Sequence, residues 1–538
     1  MQDKRTFIAI CLSIAILLGW APLAEHMGWM QPQKQPVPQE VSAPHADATG
    51  NVAGTASTAP ATSAQLPVFV PSAGRDVKVE TPLYSAVIHT GGGVLRSFTL
   101  KQYTVAIGNS PDINLVSPEA ARTAPLGLTV NGQPSWSTGA WSFEGTDLNL
   151  AAGQQGSLTF TGVVDGIRVS RVITFNADSY LLSEKMLVSS TDQTPRSARF
   201  GFMVAATPFS NGEYDPTRLA WLNGTSFKEE TSASTLQETG IIEQGSFGWA
   251  GVMSNYFMNV AAPGDTQGLT LKGRVQGTVW RVALERQDLI VPSNGEAPVA
   301  VNWWFGPKDR SLLNLAPNNL SAAVDFGMFS IISRPLLVVL NFFYNYVGNW
   351  GIAILLLTLC IRIVFWPLSQ KSYKSMEQMK KLQPMMKKLR EKYADDKQAL
   401  NREVMQLYKT YKVNPAGGCL PIVVQIPVFI GLYQALLNSI ELRHASFIEY
   451  LPFTKIVWLA DLSAADPFYI SPLLMGASMF VQQRLTPAAG DPTQQKVMMF
   501  MPLIFTVMFL NFPAGLVLYW LCNNILSIGQ QWWMLRKA

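Results

Sequence analysis

Charge and cysteine are both scarce in this chain of 538 residues: only 14% are Asp, Glu, Lys or Arg, and cysteine occurs four times. Cys11, Cys360, Cys419 and Cys522 all fall in apolar segments, so neither a disulfide framework nor a cysteine metal site is available. The four histidines lack ligand spacing, and we expect no metal and no cofactor. No GxxxxGK[ST] phosphate loop occurs, which removes the usual nucleotide-driven machines. No nucleophile–base pair or carboxylate pair carries a local signature, so we expect no enzyme.

What the chain has is apolar surface, at 48% of its residues. These residues crowd into positions 6–21 and the last two hundred, leaving a polar, Gly- and Thr-rich middle. Lys4 and Arg5 precede the run from Thr6 to Ala21. Pro22 spoils cleavage after Ala21 or Ala24, and bulky Ile10 before Cys11 is wrong for a lipoprotein. Residues 1–24 therefore read as an uncleaved transmembrane anchor. Residues 25–66, rich in Pro, Gln, Ala, Ser and Thr, read as a disordered linker.

Residues 67–328 show short alternating runs, the signature of an all-β sandwich. In Ile167–Asn176, Ile167, Val169, Ile173 and Phe175 share one face; in Val299–Gly306, Val299, Val301, Trp303 and Phe305 do so. Gly91, Gly92 and Gly93 separate Tyr84–His89 from Val94–Leu100 as a hairpin turn would. The tryptophans and tyrosines of this region belong either to its core or to a groove.

After Ser330 the pattern becomes helical. Residues 329–348 carry Arg334, Asn341 and Asn345 among apolar side chains and fit an amphipathic interfacial helix. Spans follow at 350–368, 418–438, 468–484, 496–511 and 514–533. The last two cannot be one helix, because residues 497–533 would measure ~54 Å against a hydrocarbon core of ~30 Å. With the anchor, that makes six transmembrane helices. Basic residues orient them: residues 370–415 hold twelve Lys/Arg against five acids, and Arg536 and Lys537 follow the last span. Both termini and a basic helical hairpin at 370–415 thus face the cytoplasm, with the β domain outside. Asp395 with Gln398 has the form of a capping box for the second arm. The hairpin is either a solvated positive-inside loop or a docking surface, with Lys380, Lys381, Lys387, Lys388 and Arg390 as its contacts and anionic lipids within reach. The apolar runs of the fourth and fifth spans are short, which favours local thinning of the bilayer. Their methionines suit many partners.

Arg362 is the costly residue. A charge at mid-membrane depth costs at least ~2.5–3.5 kcal/mol on insertion scales, so it seeks water, protein or a counter-charge. Either it snorkels past Pro367 to the inner headgroups, or it lines a cavity open to the cytoplasm. Thr358 lies one turn earlier, while Gln425, Asn523 and Asn524 on other spans offer polar groups to the same interior. No acidic residue sits in these helices to pair with it.

Residues 348–379 (GNWGIAILLLTLCIRIVFWPLSQKSYKSMEQM), 412–436 (KVNPAGGCLPIVVQIPVFIGLYQAL), 491–507 (DPTQQKVMMFMPLIFTV) and 512–531 (FPAGLVLYWLCNNILSIGQQ), with Gly306–Asp309 at the end of the β region, resemble the YidC membrane protein insertases of the Oxa superfamily. The resemblance covers the whole chain. It implies a bacterial inner-membrane protein with a periplasmic β-sandwich similar to galactose mutarotases and a five-helix core. It also implies insertion of nascent and newly made membrane proteins, alone or beside the Sec translocon, with the ribosome or signal recognition machinery at the hairpin. Arg362, Thr358, Gln425, Asn523 and Asn524 then form a hydrophilic groove. Pro427, Phe429, Leu432, Met508 and Trp520 form a slide for client segments, Trp520 standing where relatives often carry Tyr. The short tail after Trp533 lacks the long basic extension of some relatives. Two other readings remain open: a transporter of an anionic solute, and an envelope protein that binds or modifies carbohydrate.

Overall fold

The computed structural model describes residues 74–538 apart from 109, 211, 213, 394–395, 412, 414–419, 486–491 and 538. The expected anchor at 1–24 and linker at 25–66 lie outside the described residues.

The alternating runs of the middle region form three sheets of five, nine and six strands among the described residues, nearly all paired antiparallel. Ile167–Asn176 is a strand whose even-spaced residues point inward. It pairs with Gln155–Val164 on one side and Leu181–Ser190 on the other. Arg171 shares that inward face and is buried beside Glu184, which accepts from Arg171 Nε at 2.5 Å and from Trp303 Nε1 at 2.8 Å. A buried ion pair offsets its desolvation only when its remaining donors are used. Here the guanidinium also donates to the carbonyls of Gly92 and Leu126, pinning the turn between Tyr84–His89 and Val94–Thr104. Gly92 sits in that turn at φ +91°, where a Cβ would meet the backbone of Trp136. Trp136, Trp249, Trp303 and Trp304 are all buried. These tryptophans are core, while Trp141, Tyr103 and Tyr214 are only half-buried.

The C-terminal half is helical: α1 (Ser330–Val347), α2 (Trp350–Val364), α3 (Trp366–Lys392), α4 (Lys397–Thr410), α5 (Leu420–Leu437), α6 (Ile470–Leu485), α7 (Pro492–Phe509) and α8 (Ala514–Lys537). The expected span at 350–368 is broken. Phe365 leaves helical geometry, Pro367 stands in the first turn of α3, and the two axes bend by 61°. Proline is tolerated there because the first-turn amides have no intrahelical partner. The second arm of the basic hairpin is capped by Asp396, which accepts from the amides of Gln398 and Ala399; Asp395 of the expected capping box lies outside the described residues. Helices α6 and α7 extend beyond their apolar runs to 16 and 18 residues, about 24 and 27 Å, closer to bilayer thickness than those runs imply.

By length and composition alone, one described helix qualifies as a membrane span: α1 with its preceding turn, Gly327–Val347, at a mean hydropathy of 1.5. A second qualifies only if α2 and α3 are one broken span. The apolar stretches Val424–Leu437 and Met499–Phe509 are shorter.

Two connectors of the helical half touch the β domain. In 438–469, Arg443 Nη2 donates to the carbonyls of Thr104 at 2.7 Å and Val105 at 3.3 Å, and its guanidinium lies 5.2 Å from the Phe257 ring centroid. In 510–513, the Phe512 ring lies 5.2 Å from that of Tyr214. Ala465 and Pro513 form an antiparallel bridge that joins the two connectors, and the Ala514 amide at the start of α8 donates to the Ala464 carbonyl. Burial, helped by Asp309, raises the Glu441 carboxyl. Burial and the Arg443 charge lower the His444 imidazole, against the pull of Asp461.

Candidate functional site

Helix α2 turns Ala353, Ile354, Leu357, Thr358, Ile361 and Arg362 inward, a spacing of three and four that keeps one face. Thr358 donates its hydroxyl to the carbonyl of Ile354 at 2.6 Å. That back-bond satisfies the hydroxyl inside the bundle, and the Cys522 thiol of α8 is its hydrogen-bonding neighbour across the helices. Arg362, one turn further, is 8% exposed, so protein surrounds it. A guanidinium does not deprotonate in proteins, so a full charge is held there. Among the described residues no carboxylate lies within ion-pair distance of it, and its Nε has no hydrogen-bond partner. The Tyr373 hydroxyl, from the first turns of α3, is its hydrogen-bonding neighbour. The 61° bend after Val364 is what brings Tyr373 back toward α2.

The other helices supply dipoles and no charge. Gln425 on α5 donates from Nε2 to Asn523 Oδ1 on α8 at 3.1 Å. Asn524 Nδ2 donates to Ser478 Oγ on α6 at 3.1 Å, and Ser527 donates to the carbonyl of Asn523 at 2.6 Å. Gln530 reaches the Trp366 carbonyl at 3.5 Å, a marginal bond, and the carbonyl oxygens of Gln530 and Gln531 have no partner among the described residues. Tyr519 has Gln425 and Arg362 as neighbours without closing a well-aligned bond. Polar side chains from α2, α5, α6 and α8 thus meet inside the helical bundle. Sequence reasoning placed Arg362, Thr358, Gln425, Asn523 and Asn524 here, and missed Tyr373, Ser478, Tyr519 and Gln531. Gln531 was legible, seven residues beyond Asn524 and therefore on the same face.

The expected slide residues fall into two groups. Phe429 and Trp520 meet edge to face at 4.6 Å, the Phe505 ring stacks on Trp520 at 5.9 Å, and Phe509 lies tilted against it at 5.3 Å. Pro427 is half-buried and Met508 exposed, whereas Leu432 is fully buried in the bundle core and presents no surface. Phe429 and Trp520 are both half-buried.

In the hairpin, Met379, Leu382 and Val413 form a small core, supported by Met386, Leu407 and Tyr408. Burial raises the Tyr408 hydroxyl, opposed by Arg390. Lys380, Lys381, Lys387 and Lys388 are exposed and Arg390 half-buried. Lys381 pairs with Glu377 at 2.8 Å, an exposed contact worth ~0–1 kcal/mol. A cleft of about 390 Å³ between α3 and α4 is lined by Met385, Lys388, Leu389, Lys392, Glu403 and Leu407. No cluster of three or more metal-ligating side chains occurs among the described residues.

The profile of the YidC periplasmic domain matches residues 76–339, and that of the 60Kd inner membrane protein matches residues 342–538. The membrane protein insertase YidC of Lawsonia intracellularis is 65% identical over 540 residues, with all of both chains covered. That of Nitratidesulfovibrio vulgaris strain Miyazaki F is 60% identical over 544 residues, again with complete coverage. A solved structure of an active YidC insertase with its first transmembrane domain resolved is 17% identical, covering 87% of this chain and 94% of that one at a TM-score of 0.36.

Proposed function

The chain belongs to the YidC family of membrane protein insertases, inner-membrane proteins with a periplasmic domain that insert client membrane proteins, and we propose how its parts do this. The hydrophilic interior around Arg362 admits the polar flank of a client from the cytoplasm. The aromatic face of Phe429 and Trp520 guides the client's apolar segment, which then leaves sideways into lipid. The observation that carries this reading is a buried arginine without a carboxylate partner, among loosely satisfied amides from α5 and α8. A fixed positive charge with no counter-charge attracts acidic or polar chain. No catalytic residue is needed. Partitioning of apolar segments and the membrane potential, worth ~2.3 kcal/mol per charge per 100 mV, supply the work.

The proposed topology has six spans, with the first in residues 1–24, α1 lying on the periplasmic interface, and both termini in the cytoplasm. The contacts of 438–469 and 510–513 with the β domain support it. Those connectors must share the β domain's side, so an even number of crossings separates each from it. Crossings by α2 and α5 satisfy this for the first connector, and α6 and α7 satisfy it for the second. A crossing by α1 would make the count odd, although its length allows one. Its exposed Arg334 also suits headgroups better than acyl chains.

The protein works alone or beside the Sec translocon. The exposed lysines of α3 favour contacts with the ribosome or signal recognition machinery and with anionic lipids. The mutarotase-like kinship of the β sandwich belongs to the same proposal. Depletion of the protein tests the reading through a small client that needs no Sec translocon. Insertion should fail and return with the purified protein in vesicles, where a photoreactive residue at Phe429 should capture the stalled client. Normal insertion with altered solute flux would instead indicate a transporter.

A further inference from the structure

The connector between α5 and α6 forms a small hairpin that projects apolar side chains into the open. Ile448–Tyr450 pairs with Val457–Leu459 in antiparallel register, Ile448 opposite Leu459 and Tyr450 opposite Val457. The turn is closed by the Thr454 amide donating to the Leu451 carbonyl at 3.0 Å. Pro452 and Phe453 occupy its two central positions, and Phe453 has φ +66°. Such a turn, proline followed by a left-handed residue, is the type II pattern that favours Gly or Asn at the second central position. Phenylalanine there is unfavourable for the backbone. It is also unfavourable in water, since Phe453 is completely exposed at 108% of its reference area. Tyr450, Ile456 and Val457 are each about half exposed beside it.

On the proposed topology the hairpin stands at the periplasmic membrane surface. Its base is fixed to the N-terminal end of α2: Asn349 caps that helix and also donates to the Phe447 carbonyl at 3.1 Å. Phe447 packs on Gly351, and Trp350 stacks on Tyr344 with ring centroids 3.9 Å apart. Beside this pair, the exposed Phe342 and Tyr346 of α1 mark the headgroup level. Phe468 and Tyr469, exposed just before α6, continue the same aromatic surface.

From this we infer that the Tyr450–Val457 hairpin is a membrane anchor, inserting Phe453 into the headgroup–acyl boundary of the periplasmic leaflet. The inference rests on the proposed topology, in which α2, α5 and α6 meet that leaflet here. Glu449 and Lys455 are the hairpin's charged residues and cancel, so apolar insertion rather than attraction to anionic headgroups drives the contact. The anchor fixes the connector that holds the β domain through Arg443, and so sets the height of that domain above the bilayer.

The test uses the full chain with its four native cysteines replaced, reconstituted in phosphatidylethanolamine–phosphatidylglycerol vesicles. A spin label is attached at Ile456→Cys, and its collisions with oxygen and with a water-soluble nickel chelate are compared. Labels at Ile426→Cys on the exposed side of α5 and at Thr146→Cys on the β domain serve as lipid and water references. The inference requires the label at 456 to favour oxygen as the label at 426 does, and to shift severalfold toward the chelate when Phe453→Asp is added. Chelate access matching that at 146 overturns it. So does shielding from both probes, which would place the tip against protein, whether client or a second copy. Chelate access at 426 itself would overturn the topology, a failure distinguishable from that of the anchor.

Discussion

Gln425 Nε2 donates to Asn523 Oδ1 at 3.1 Å, joining two helices that are 98 residues apart in sequence across the interior that holds Arg362. Hydrogen bonds between membrane helices average only ~0.6 kcal/mol and reach ~1.7 at most, because the unfolded helices find other partners in the bilayer. A double-mutant cycle with Gln425→Leu and Asn523→Leu should therefore give a coupling of about 0.6 kcal/mol when unfolding is followed in detergent. The pair orients amides toward the interior more than it stabilises the bundle.

Close backbone approach should matter more. A Cβ on Gly476 of α6 would run into the Thr506 side chain of α7, whose hydroxyl already donates to the Pro502 carbonyl at 2.7 Å. Gly476→Ala should destabilise the helix pair by ~1–3 kcal/mol through overpacking. Adding Thr506→Ala should recover part of the loss in the same unfolding measurement.

Arg443 holds the β domain with charge-assisted bonds to two carbonyls and a ring contact on Phe257. Arg443→Ala should cost ~1.5–3 kcal/mol of that attachment, and hydrogen exchange across residues 103–112 should accelerate. Arg443→Lys should restore only part of it, because a single ammonium cannot reproduce the planar fork.

The joint also carries a pH dependence. Burial and Asp309 raise the folded-state pKa of Glu441 above its ordinary value of 4.5. The folded state therefore binds the proton more tightly than the unfolded one. This contribution to stability is complete below pH ~4.5 and is lost as pH rises through the folded pKa. Glu441→Gln should flatten that slope and stabilise the joint at neutral pH, measured by unfolding of the full chain between acidic and neutral buffer.

Much of the architecture was legible because burial imposes a period. Ile167–Asn176 alternates strictly, and its ends in the structure are those the alternation gives. The helical half was legible through apolar run length and the Asn511–Pro513 break, which the turn between α7 and α8 matches. Arg171 and Glu184 were not, since a buried ion pair depends on strands whose pairing the sequence does not display. The bend at Phe365 was hidden because Pro367 is compatible with either a continuing helix or a new one. In the site, Arg362 and Asn523 stood out as polar residues in apolar spans, and Thr358 by its place one turn before Arg362. Tyr373 and Ser478 reach it only through the bend and through the packing of α6 on α8, which no local pattern encodes.

The central claim is that Arg362 receives passing chain. It is tested by inserting a client with acidic residues in its translocated segment, and a twin with those residues changed to Asn and Gln, through proteins carrying Arg362→Ala or Arg362→Lys. Loss of one partly screened charge contact should slow the acidic client roughly tenfold, equivalent to ~1.4 kcal/mol, in the Ala variant. The neutral twin should be much less affected, and Lys should retain most of the acidic client's insertion. Equal insertion of both clients through the Ala variant at the native rate would contradict the account and leave Arg362 a structural charge.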